Sequence, residues 1–131
     1  VYASDFGARG FAALAPLVAK AAEAGDAVAT KLIQQAGQDL AHTVMTLVGK
    51  LDFGDQPVPV APVGGVFTHL SGVRTTFVEV LRQQAPTIHV VDPALPPVLG
   101  AVIMALKLGS APLDQAVATL QRNYKAKLVG A

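Results

Sequence analysis

The 131-residue sequence contains no cysteine. That excludes a disulfide framework, a thiolate metal site and a cysteine nucleophile. Tryptophan is absent too, and aromatics make up only 5% of the chain, too few for base-stacking platforms. Charged residues amount to 15%, against roughly 25% in ordinary globular domains, and the formal net charge is only +1. There is therefore no electrostatic case for nucleic acid as a partner. The longest apolar run, Val98 to Leu106, is far shorter than the ~20 residues a membrane span needs. The start carries no signal-peptide pattern, and a cytoplasmic setting is expected. It begins at Val1 rather than Met, which suggests a processed product or a piece of something longer. What the chain does have is Ala, Val and Leu, in a hydrophobic share of 52%. Such a composition fits a largely interior chain, or one that buries surface against another domain.

The apolar spacing lays out an order of elements. Ser4-Asp5 opens a first helical region, with Phe11, Leu14, Val18 and Ala22 on one face. Pro16 either kinks that helix or starts its second part. Gly25 stops it, and Asp26 suits the N-cap of the next. That second helix carries a long stripe of Val28, Leu32, Ala36, Leu40, Val44, Leu47 and Leu51. A Gly/Asp/Pro loop follows from Phe53 to Pro57, then a buried strand from Val58 to Val63, made irregular by Pro59 and Pro62. Ser71 is expected to cap a helix carrying Val73, Phe77, Val80 and Leu81, which Pro86 ends. Thr87 to Val91 reads as a second strand and Asp92-Pro93 as a turn. A helix from Val98 to Leu108 follows, with Pro97 near its first turn. Ser110, Pro112 and Asp114 start the last helix, whose stripe is Leu113, Val117, Leu120, Tyr124 and Leu128. The strand–helix–strand piece implies parallel strands with a right-handed crossover, hence an α/β class. Two strands make too small a sheet to stand alone, so further strands are expected from outside this chain.

The stretch "PVAPVGGVF" places Gly64 and Gly65 directly after the first strand. A glycine pair there has two readings. The chain turns sharply, or a ligand approaches the backbone too closely for a Cβ. Ligands of open α/β sheets bind at the carboxyl ends of the strands, which is where this pair lies. Neither a G-x-x-x-x-G-K-[ST] loop nor a G-x-G-x-x-G fingerprint is present. His42, His69 and His89 are scattered over separate elements without ligand spacing, so no metal site is expected. His69 follows the glycines and Arg74 stands one turn into the next helix, each a solvated residue on the simpler reading and a ligand contact on the other. Asp5, Asp26, Asp92 and Asp114 all occupy cap or turn positions. Read this way, the residues offer one ligand-facing loop and no catalytic set.

Three stretches together resemble a known family. "VYASDFGARGFAALAPLVAKAAEAGDAVATKLIQQAGQDLA", with Asp5-Phe6, Phe11-Ala12 and Ala22 to Asp26, is similar to the helical stretch of N-acetylglucosamine kinases and of the BadF/BadG/BcrA/BcrD ATPase family. "PVAPVGGVF" resembles the family's strand and double glycine, the adenosine motif of the actin/hexokinase superfamily. "PPVLGAVIMAL" resembles its later Gly-Ala segment, where Gly100 opens a helix near the nucleotide. The resemblance covers about Val1 to Leu108. It implies the C-terminal part of a ribonuclease H-like lobe, in an ATP- and Mg²⁺-dependent amino-sugar kinase that phosphorylates N-acetylglucosamine or glucosamine. Gly64, Gly65, Val66 and Gly100 would be the cofactor-binding residues. The family's phosphate loop and general base have no counterpart here, so the chain by itself is expected to be inactive. Its implied partners are an N-terminal lobe, an amino sugar and a second copy in a homodimer. The implied division is a helical segment 1–52, an adenosine-binding segment 58–108 and a C-terminal helix 109–131 within one domain. Two alternatives stay open. One is an ATPase activator of an acyl-CoA dehydratase or reductase, although that branch holds an iron–sulfur cluster with cysteines. The other is a non-catalytic interaction module on the same fold.

Overall fold

The computed structural model describes residue 10, residues 12–109 and residues 112–129, with side chains described through Tyr124. Ser4, Asp5, Phe11 and Ser110 from the reading above lie outside the described residues. The chain divides after Val91 into two units. The helix at Pro97–Leu108 shares a unit with the last helix. The architecture is helix-rich with one short parallel sheet.

In the first unit, α1 spans Ala15–Glu23, and Pro16 falls in its first turn, where a missing N–H costs nothing. It therefore starts the helix rather than kinking it. Gly25 turns the chain at φ +90°, and the Asp26 carboxylate accepts a hydrogen bond from the Ala29 N–H at 2.8 Å. This cap begins α2, Ala27–Leu51.

The expected stripe on α2 is not its buried side. Ala29, Gly37 and Ala41 are buried, whereas Val28, Leu32, Leu47 and Leu51 are more than half exposed. The physical reason is the closeness of a second helix, here α4, Ser71–Gln84. A Cβ built on Gly37 would stand 2.7 Å from the Val73 carbonyl oxygen and 2.7 Å from the Thr76 Cβ. A Cβ on Gly72 would meet Ile33 Cγ2 at 2.7 Å. Small residues let the two backbones approach, so the contact face has the smallest side chains and leaves the large ones beside it. Leu40 and Val44, members of the expected stripe, pack partly buried at the margin of the core.

Strand β1, Val58–Val60, pairs in parallel with β2, Ile88–Val90, Val58 opposite Ile88 and Val60 opposite Val90. Both strands are shorter than the expected Val58–Val63 and Thr87–Val91. The Val58 N–H donates to the Thr87 oxygen at 2.9 Å and the Val91 N–H to the Val60 oxygen at 3.0 Å, so the ladder closes at these residues. Pro62 has no N–H to carry it further and pulls Ala61 out of register. Pro59 is tolerated because its neighbours Val58 and Val60 face β2, which turns its own nitrogen away from the partner.

Between β1 and α4 the chain makes a short helix, α3, Gly65–His69, that the spacing did not predict. Only Leu70 separates α3 from α4. Ser71 is consequently the first residue of α4 rather than its cap, and no side chain caps this end. The Leu70 carbonyl accepts the N–H groups of Val73 and Arg74 instead, at 3.0 and 3.3 Å. Val73, Phe77 and Leu81 of α4 are almost completely buried, and Phe77 and Leu81 share a core with Ala41 and Ile88. Phe67 of α3 meets Phe77 edge-on, ring centres 5.1 Å apart at 64°.

The second unit holds α5, Pro97–Leu108, and α6, Leu113–Val129. Pro97 occupies the first turn of α5 and Asp114 the first turn of α6. Leu113, Val117, Leu120 and Tyr124 are all half-buried, as their spacing predicts. Among the described residues of this unit none is fully buried. No helix among the described residues is long and apolar enough to cross a membrane.

Candidate functional site

The corner between β1 and α3 is set by Gly64. Its backbone lies at φ +107°, ψ 166°, a region that essentially only glycine occupies. Its carbonyl oxygen accepts from the Thr68 N–H at 3.2 Å and the Thr68 hydroxyl at 3.1 Å, tying the corner to α3. This conformation is itself a sufficient reason for glycine. The space beyond is also free: a Cβ on Gly64 would find nothing within 4 Å. Gly65 differs from it. It has no positive φ, and its Cβ would meet only His69 Cδ2 at an ordinary 3.7 Å. Val66 follows, 45% exposed. Three of the four expected site residues are thus contiguous at the carboxyl end of β1. Gly100 lies on α5 in the other unit, with open space where a Cβ would be.

A groove of about 610 Å³ runs beside this corner, between α1 and α3. Ala15, Pro16 and Ala19 make one wall, Gly65, Val66 and Leu70 the other. Lys20, Glu23 and His69 also line it. A second cavity of about 280 Å³ adjoins it, and Ala19, Glu23, His69 and Leu70 line both. This smaller space is more polar, with Thr30, Gln34, Ser71 and Thr76 on its walls.

Sequence reasoning located the glycine corner and missed the α1 side of the groove. One signal was there: Lys20 and Glu23 are the only charged residues of α1, one turn apart on an otherwise apolar helix. That α1 turns them towards α3 is a tertiary fact, which helical spacing does not contain. Of the other histidines, His42 is exposed on α2 and His89 exposed on β2. Among the described residues no group of three His, Cys, Asp or Glu stands together to hold a metal ion.

No family model, no curated protein and no solved structure matches this chain.

Proposed function

We propose that this chain supplies the adenosine-binding side of an ATP cleft in an amino-sugar kinase. The observation that carries the reading is the Gly64 corner. It sits at the carboxyl end of a parallel strand, held in a glycine-only conformation, with bare space before it and an apolar groove alongside. The groove volume falls within the roughly 300–1,000 Å³ common for ligand sites. The ribose would rest against the backbone of Gly64 and Gly65, and the base would enter between Ala15, Ala19 and Val66.

The role of these residues is binding and orientation. ATP supplies the transferable phosphoryl group, and none of the residues named here is assigned a part in moving it. Among the described residues no three His, Cys, Asp or Glu side chains stand together, and no residue here is assigned to Mg²⁺. The remaining parts of the reading are an N-terminal lobe carrying the sugar site, a homodimer and a cytoplasmic location.

Gly65→Ala in the full-length protein tests the reading. Because the added methyl group meets only His69 at an ordinary distance, the fold should hold, with Tm nearly unchanged. ATP affinity, measured by calorimetry, should fall about tenfold if the sugar lies against this backbone. Unchanged affinity in a stable Gly65→Ala protein removes the corner from the site.

A further inference from the structure

We propose that the outer edge of β2 binds an extended peptide as an antiparallel third strand, and that this peptide carries an acidic residue beside Arg82. The edge belongs to the strand without the glycine corner, so it stands independently of the nucleotide proposal.

The two edges of the sheet are not alike. On β1, Val58 and Val60 turn their backbone groups to β2, which leaves Pro59 on the outer side with no N–H to give. On β2, His89 turns its backbone to β1, and Ile88 and Val90 turn theirs outwards. The Ala85 carbonyl accepts the Ile88 N–H at 2.9 Å. Among the described residues the Ile88 carbonyl and both backbone groups of Val90 have no backbone partner. Such a row is what an added strand pairs with, and a two-stranded sheet gains stability from a third strand. In antiparallel register the residue opposite Val90 accepts from its N–H and donates to its carbonyl. The peptide residue two places further on donates to the Ile88 carbonyl.

A groove of about 370 Å³ lies against this edge, walled by Val78, Leu81 and Arg82 of α4 and by Ile88 and Val90 of β2. Ile88 is buried and Val90 half-buried, whereas His89 between them is exposed. The residues that pair outwards are thus also those whose side chains join the core under α4. A peptide residue opposite Val90 shares that face and lies over the groove, where an apolar side chain displaces water. The residue opposite Ile88 lies nearer the C-terminal end of α4. Arg82 stands there, in the last turn of the helix, and is the only Asp, Glu, Lys or Arg on the groove wall. A carboxylate from the peptide is the complementary charge, and a lysine meets repulsion. Main-chain pairing holds the peptide, and the groove selects an apolar residue followed two places later by an acidic one. A strand of three residues and one groove suit a short peptide better than the roughly 800 Å² per partner that two folded chains need for a stable interface.

The probe is the acetylated, amidated peptide Thr-Thr-Val-Thr-Glu-Thr, titrated into the full-length protein and read by NMR at the Val90 amide. Saturable shifts there are expected, with slower exchange of that amide. Methylating the valine nitrogen removes the donor to the Val90 carbonyl and should weaken binding about tenfold or more. Methylating the nitrogen of the threonine after it, which points away from β2, should leave binding within about twofold. Replacing the peptide's Glu by Lys should weaken binding about threefold, and Arg82→Glu, an exposed change that Tm checks, should reverse that preference. Equal binding by the two methylated peptides overturns the strand pairing. An unreversed preference in a folded Arg82→Glu protein overturns the acidic specificity. No binding, with the Val90 amide exchanging freely, overturns the site itself. A Val90 amide already protected without peptide overturns the peptide as occupant; sedimentation then identifies a second copy if the protein is dimeric and a segment of the same chain if it is monomeric.

Discussion

The two units use apolar residues in opposite ways. The first has modest side chains where its helices meet, Ala29, Gly37 and Ala41 on α2, and encloses Phe77 and Leu81 completely. The second has the densest apolar helix among the described residues, α5, and none of its described side chains is fully buried: Val98, Met104 and Leu108 are 66%, 71% and 89% exposed. Apolar content alone therefore does not make a core. What makes one is backbone approach close enough to shut water out on every side, and in this chain glycine and alanine provide it.

The largest expected difference is at the centre of the first unit. Phe77→Ala deletes a ring that touches Phe67 and sits only 2% exposed, and should cost about 3–5 kcal/mol in urea unfolding. Should Phe77→Ala unfold at the wild-type urea midpoint, the core assignment for this unit would be wrong.

Gly37→Val comes next and sharpens the comparison, because it adds apolar surface and should still destabilise. Its side chain meets the Val73 carbonyl and Thr76 within 2.7 Å, and forcing α2 and α4 apart should cost about 1–3 kcal/mol. A neutral or stabilising Gly37→Val, read by thermal melting, would mean the helices do not meet at this point.

The smallest effect belongs to the second unit. Leu108→Ser removes a large apolar side chain that is 89% exposed and should change stability by no more than about 0.5 kcal/mol. A loss of 2 kcal/mol or more in the same melt would show that α5 is buried in solution after all, and the contrast between the units would fall.

These contrasts also mark what the amino-acid order makes legible. The cap at Asp26, the span of α4, the parallel pairing of the two strands and the half-buried face of α6 follow from local chemistry and spacing. The buried face of α2 does not. A stripe search follows the largest apolar residues, and close helix packing selects the smallest, so Val28 and Leu32 drew attention that belonged to Ala29 and Gly37. Helix α3 escaped because five residues carry no full period, and its presence moved Ser71 from cap to first helical position. The candidate site divides in the same way. Gly64 and Gly65 are visible as a pair in the chain, while Lys20 and Glu23 join them only through the docking of α1.

The crossover between the strands bears on the order in which the molecule assembles. Val58 cannot meet Ile88 until α3 and α4, which lie between them in sequence, have folded back over the sheet. Closing so long a loop for three residues of ladder is entropically unfavourable unless the helices are already in place. Docking of α4 on α2 should therefore come first and strand pairing last, with α4 serving as the template on which the sheet forms. Pulse-labelled hydrogen exchange should then show the Phe77 and Leu81 amides protected before those of Val58 and Val91. The Gly64 corner lies between β1 and α3 and is tied to α3 through Thr68, so it would take its final geometry only when both the helix and the ladder are in place.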